Sequence, residues 1–351
     1  MRNNLLKKTF LTCAVTVAAI TATQAQDIHF SQFYETSVLR NPALTGIFTG
    51  DYKVGAIYRS QWSSISAPFQ TAMVTAETRI PVSDEVNDFV SIGLLAYYDK
   101  AGSINMQTLS ICPSVNYNKS LEDRHNSFLS VGFTGGYVQR SFDPGRMTFD
   151  EQYQNGSFEP DNNNGETLPS PKVTQWDLGA GISFSSSAGE NNNTTYYLGV
   201  SAYHLTRPKD AFFSDQAYVR QQARWNVSAG LGWHLDETWR VQFHGNYTLQ
   251  GPYNEIIAGG LVGWTSPDAN NQQTPLLSLS AGVFYRVNDA FIPTVKVEYK
   301  DLSFGASYDF NTSSLKAATN LRGGFEVSMF KTGLFKDPRF EKSRTNCPKF
   351  W

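Results

Sequence analysis

The runs RWNVSAGLGWH (Arg224 to His234) and WRVQFHGNYTL (Trp239 to Leu249) decide the fold. In the first, Trp225, Val227, Ala229, Leu231 and Trp233 alternate with Arg224, Asn226, Ser228, Gly230, Gly232 and His234. In the second, Trp239, Val241, Phe243, Gly245 and Tyr247 alternate with Arg240, Gln242, His244, Asn246 and Thr248. A period of two puts the apolar set on one face of a strand and the polar set on the other, a pattern no helix can use. Apolar faces bracketed by Trp or Tyr suit a membrane-spanning strand, because these rings favour the headgroup boundary. Tyr97, Tyr98, Tyr196, Tyr197, Trp264 and Tyr299 also fall at strand ends and are expected in such girdles.

Outward from these two runs the same alternation recurs along the chain. It predicts strands near 52–59, 68–79, 88–98, 106–118, 127–139, 174–186, 194–205, 222–234, 238–249, 255–264, 276–286, 290–299, 302–310 and 319–330. Fourteen is an even number, as a bacterial membrane barrel requires. With the N-terminus in the periplasm, the two longest connections, 140–173 and 206–221, follow odd strands and fall outside. The tight turns at Lys300-Asp301 and from His234 to Glu237 follow even strands and fall inside. Long outside and short inside is the outer-membrane rule. The connection from Thr265 to Pro275 is longer than the rule prefers for an inside turn. The expected fold is therefore all-β: a monomeric transmembrane antiparallel β-barrel of about 14 strands, seated in outer-membrane lipid, over residues 51–330. A soluble sandwich is the competing all-β reading.

Composition agrees. The chain of 351 residues is 17% charged and 14% aromatic, where soluble domains carry roughly 25% charge. Mean hydropathy is negative, which excludes a helical membrane protein but not a barrel that shows lipid only every second residue. Residues 1–25 have a basic start and an apolar core too short to span a bilayer, and they read as a secretory signal. Without the three positive charges of Arg2, Lys7 and Lys8, the net charge of −2 becomes −5, which gives no footprint for nucleic acid.

Residues 26–50 form an N-terminal segment on the periplasmic side of the first strand. Phe30, Phe33, Tyr34 and Leu44 have no strand of their own and must bury either in the lumen, as a hatch, or against a partner. Asn41-Pro42 supplies a turn that favours the hatch. The candidate hatch or partner-binding residues are Phe30, Ser31, Gln32, Phe33, Tyr34, Asn41, Pro42 and Gly46. Asp177, Arg224, Arg240, Lys296, Glu298, Asp309, Arg322 and Glu326 are expected to face the lumen, paired with one another or gripping a plug or a passing chain. Cys112 is expected to point inward, where a periplasmic tail of residues 331–351 carrying Cys347 would meet it; two unpaired thiols are the alternative. The sequence has no HExxH, GxSxG or Walker loop, and 161–166 lacks calcium-loop spacing. No cofactor, metal or catalytic set is expected, and the chain does not read as an enzyme.

The blocks QDIHFSQFY (26–34), NPALTG (41–46) and YRSQW (58–62) resemble the start of the PorP/SprF family, and NCPKF (346–350) is similar to its Cys-Pro ending. The resemblance covers the whole chain after residue 25. It implies an outer-membrane component of the type IX secretion system of Bacteroidetes-type bacteria. Members serve secretion, gliding motility or surface attachment of adhesins. On that resemblance, the segment 26–46 and the tail 331–351 would dock periplasmic machinery or lipoproteins. The loops 140–173 and 206–221 would retain or pass a secreted adhesin. One departure is that the last expected strand ends on Phe330 and some twenty residues follow it. Asn41-Pro42-Ala43 also resembles the hatch turn of FadL-type barrels. That supports the alternative of a channel for hydrophobic small molecules, which requires an apolar pocket beside the hatch. An outer-membrane enzyme is a third class, and it requires a nucleophile and base that the sequence does not cluster.

Overall fold

The computed structural model describes residues 27–335 apart from 64–66, 83–85, 155, 160–161, 163–169, 190, 211, 213–219, 267–275 and 315. Its strands, each hydrogen-bonded to its sequence neighbours, are β1 (Tyr52–Gln61), β2 (Phe69–Pro81), β3 (Phe89–Ala101), β4 (Met106–Ser120), β5 (Phe128–Ser141), β6 (Lys172–Ala188) and β7 (Thr194–Tyr203). They continue as β8 (Arg224–His234), β9 (Trp239–Gln250), β10 (Tyr253–Ser266), β11 (Leu277–Arg286), β12 (Ala290–Tyr299), β13 (Leu302–Asn311) and β14 (Arg322–Gly333). β1 closes onto β14 through an unbroken register from Tyr52↔Gly333 to Gln61↔Gly324. Closure leaves no unpaired sheet edge, which is the condition for strands to cross lipid. No helix among the described residues is long and apolar enough to cross a membrane.

The alternation reads as lipid-out and lumen-in. On β8, Asn226, Ser228 and Arg224 are buried while Trp225, Val227, Leu231 and Trp233 are exposed. The connections 142–171 and 204–223 leave one rim, and the two-residue turn 300–301 leaves the other. A short ribbon, Tyr153–Gln154 with Ser157–Phe158, lies in the first long connection.

Several expectations change. β14 begins at Arg322 rather than 319, because Lys316–Thr319 forms a helical turn and the ladder shifts register between Asp309 and Phe310. That shift carries Arg322 to an exposed position at the rim, so it is not a lumen charge. Tyr197 is no girdle residue: it points inward and is 2% exposed, and Tyr97 packs against an interior cluster. Phe330 likewise faces inward, under the Lys53 ammonium at 4.5 Å, and β14 runs on past it.

Candidate functional site

Residues 27–50 lie inside the barrel and not below it in the periplasm. They fold into a 3₁₀ turn at Phe33–Glu35, an α-turn at Ser37–Arg40 and a second 3₁₀ turn at Pro42–Leu44. Asn41 makes the last turn: its side-chain oxygen accepts from the Ala43 N–H at 2.8 Å, and Pro42 fills the first helical position.

The apolar residues of this hatch meet three apolar patches on the wall. Phe33 and Tyr34 pack with Ile257, Leu261, Phe284 and Ile292. Phe30 and Val38 pack with Ile57, Met73, Leu95 and Phe330. Leu44 and Ile47 pack with Phe89, Phe128 and Tyr197. Full burial of each such side chain contributes on the order of 1.5–3 kcal/mol.

Between these patches the wall satisfies the hatch backbone, which a buried irregular segment needs. Asn116 Nδ2 donates to the carbonyls of Ala43 (2.9 Å) and Thr45 (2.8 Å), and Ser201 Oγ donates to Arg40 O at 2.6 Å. Gly46 N–H donates to Glu77 Oε2 at 2.9 Å, and Asn41 Nδ2 donates to Ile182 O at 3.0 Å.

Charge then locks the hatch at three levels. Beside the β1–β14 closure, the Glu326 carboxylate accepts from the N–H groups of Ser31 (2.8 Å) and Gln32 (2.7 Å) and pairs with Arg59 at 3.0 Å. Arg59 faces Glu326 directly across the β1–β14 closure. Asp309 accepts from Ser31 Oγ at 2.6 Å and pairs with Arg59 (2.8 Å) and Arg286 (3.2 Å). Nearer the short-turn rim, Glu35 sits between Lys296 (2.7 Å) and Lys53 (3.0 Å), while Arg240 pairs with Glu298.

At the long-loop rim, Asp27 Oδ2 lies 2.6 Å from His204 Nε2 and 3.0 Å from Arg224 Nη1, and Asp27 Oδ1 accepts from Gln221 at 3.0 Å. His204 Nδ1 lies 2.8 Å from Asp177. Burial alone depresses the His204 pKa, but the Asp27 and Asp177 carboxylates outweigh it and raise the pKa from 6.5 to about 9. This clasp therefore contributes stability that is whole below pH 6.5 and is lost as pH rises through about 9. The thermal midpoint of the folded barrel in detergent is expected to fall over that interval, and His204→Gln is expected to abolish the dependence. Equal pH profiles for parent and variant would reject the clasp.

Of the expected lumen charges, Asp177, Arg224, Lys296, Asp309 and Glu326 engage the hatch or its clasp, Arg240 and Glu298 engage each other, and Arg322 does neither. Sequence reasoning missed Lys53, Arg59, Glu77 and Arg286, all inward-facing strand residues. Their signal was available: a charge within a barrel strand costs about 2–4 kcal/mol if Lys or Arg faces lipid at the midplane, so it belongs inside. Cys112 Sγ lies 3.2 Å from Ser110 Oγ, while Cys347, like residues 1–26 and the tail from 336, lies outside the described residues.

The model of the type IX secretion system membrane protein PorP/SprF matches residues 22–330. The chain belongs to the PorP/SprF family. Among curated proteins, none matches it. Among solved structures, this PorP/SprF chain is similar to a Pseudomonas aeruginosa FadL homologue, at 10% identity and TM-score 0.47, over 83% of this chain and 92% of that one. It is similar to the Pseudomonas putida toluene transporter TodX at 10% identity and TM-score 0.47, over 84% and 92%. It is also similar to CdiB from Acinetobacter baumannii at 8% identity and TM-score 0.43, over 80% and 60%. At such values these likenesses carry no functional weight. Family and fold place the PorP/SprF barrel in the outer membrane as a secretion-system protein and not in an enzyme family.

Proposed function

We propose that this PorP/SprF barrel is a closed docking platform and not a conduit. The observation that carries this is the hatch, whose Ser31 and Gln32 N–H groups are held by the Glu326 carboxylate at the seam that closes the barrel. With Phe30 to Tyr34 buried, these residues are unavailable to a partner, and docking falls to the two rims. Outside, the long connections are tied together by an Arg140–Asp210 ion pair at 2.5 Å and an edge contact between Phe142 and Phe212. That gives a braced surface for retaining a secreted adhesin. Inside, the short turns and the tail after Phe335 offer a surface to periplasmic secretion components or lipoproteins. The channel alternative requires an apolar pocket beside the hatch; the small cavity at the outer end is mixed, with Ile28, Phe30, Phe33 and Leu39 beside the charged Asp27, Arg40, Arg224 and Glu255.

Deleting the gene is expected to remove one or more secreted adhesins from the cell surface and leave fatty-acid uptake unchanged. Surface proteomics and labelled fatty-acid uptake read the two arms. Lost uptake with intact display would overturn the proposal.

A further inference from the structure

The hatch runs through the barrel from rim to rim, and its two ends are held differently. Its Asp27 end is tied by residues of the long-loop rim. His204 and Gln221 belong to the connection 204–223, Arg224 opens β8, and Gln250, which accepts from the Asp27 N–H at 3.2 Å, closes β9. Its other end enters β1 at the opposite rim, where Asp51 N–H donates to Gly333 O at 2.7 Å and Asp51 Oδ2 accepts from Phe335 N–H at 2.8 Å. The chain is thus continuous with the wall at the short-turn rim and is held at the long-loop rim only by side-chain contacts.

In an outer-membrane barrel the long connections face the exterior and the short turns face the periplasm. We infer that the Asp27 end of the hatch faces the cell exterior, and that this segment is a strap anchored on the periplasmic side with its releasable end at the cell surface. The surface at that mouth includes Asp27, Ile28 and His29, each half-buried and not sealed. A protein arriving from outside meets this end first. Displacing the Asp27 carboxylate from His204 and Arg224 frees that end of the strap, with no strand of the wall broken. A protein on the periplasmic side meets the anchored end, where backbone continuity with β1 prevents withdrawal. The exterior rim is therefore the side from which the free end of the strap is reached. This holds whether or not the docking role above is correct, because it concerns only the direction of the chain in the barrel.

Placing an epitope tag between Gln26 and Asp27 tests it, with the same tag after Trp351 as the opposite control. The expected result is antibody staining of the first on intact cells and of the second only after outer-membrane permeabilisation. Staining of the Gln26–Asp27 tag only after permeabilisation overturns the inference. Should the insertion abolish the heat-modifiable gel mobility of the folded barrel, His29→Cys in a Cys112→Ser chain replaces it. The His29 side chain is 29% exposed. A membrane-impermeant maleimide is expected to label that cysteine on whole cells as fully as on permeabilised ones. Labelling that needs permeabilisation, or none in either preparation, overturns the inference.

Discussion

Replacing Glu326 with alanine is expected to unlatch the hatch and turn a closed barrel into a conducting one. The Glu326 side chain is fully buried and serves three donors at once: the Ser31 and Gln32 N–H groups and the Arg59 guanidinium. Alanine leaves two buried N–H groups without acceptors, at roughly 1–3 kcal/mol each. It also strips one carboxylate from a buried guanidinium, and breaking such a pair typically costs about 3–5 kcal/mol. Arg59 keeps Asp309 at 2.8 Å, so the lower end of that range applies to the pair. The wall itself is undisturbed, since the β1–β14 ladder is held by backbone hydrogen bonds on both sides of this position. The loss therefore falls on the hatch. Single-channel recording in planar bilayers should show silent parent and open variant, and a protease should cut within 27–50 only in the variant. Glu326→Gln keeps an oxygen acceptor in place and should lie between. A silent, protease-resistant Glu326→Ala barrel would show that the apolar contacts alone hold the hatch.

How much of this was legible in the chain depends on which forces act locally. The strands were legible because lipid and lumen impose a two-residue period on every segment: β12 falls at 290–299, where alternation placed it. Arg322 was misplaced because one ladder shift after Asp309 resets the parity, and nothing in the alternation of Arg322 to Phe330 reveals that shift. Phe30, Phe33, Tyr34 and Leu44 were legible as apolar groups needing a partner, but their partners were not. Phe33 meets Phe284 edge-on at 5.5 Å, and Ser31 binds Glu326 across 295 residues of sequence. Such pairings are fixed by closure of the sheet, which sets which inward residues stand opposite one another. The direction of the hatch was hidden for the same reason. A segment preceding an outward strand reads as periplasmic, whereas the tie of Asp27 to His204 and Arg224 carries its first residues to the far rim.

Gly132→Ala is expected to be strongly destabilising, and it tests the hatch from the wall side. Gly132 stands on β5 where the Pro42–Leu44 turn presses on the wall, and an added Cβ would overlap the Pro42 carbonyl carbon and the Ala43 nitrogen. Both obstacles are backbone, so no rotamer change relieves the overlap. The turn cannot retreat either: Asn116 holds the Ala43 and Thr45 carbonyls, Ser183 Oγ donates to Ala43 O at 3.0 Å, and Asn41 is wedged against Gly181 on β6. Overpacking a filled core typically costs about 1–3 kcal/mol. Here the cost adds to whichever of these hydrogen bonds breaks as the turn moves. Gly135→Ala, three residues along the same strand, is the control, because its added methyl would meet only Leu178 Cδ2 at 3.8 Å. Both substitutions remove the same backbone freedom from β5, so any difference between them reports the hatch. The thermal midpoint of heat-modifiable mobility should drop for Gly132→Ala and hold for Gly135→Ala, and deleting residues 27–46 should erase the difference. If Gly132→Ala still lowers the midpoint when the hatch is absent, the damage lies in the strand, and the close approach of Pro42 to the wall is not what Gly132 accommodates.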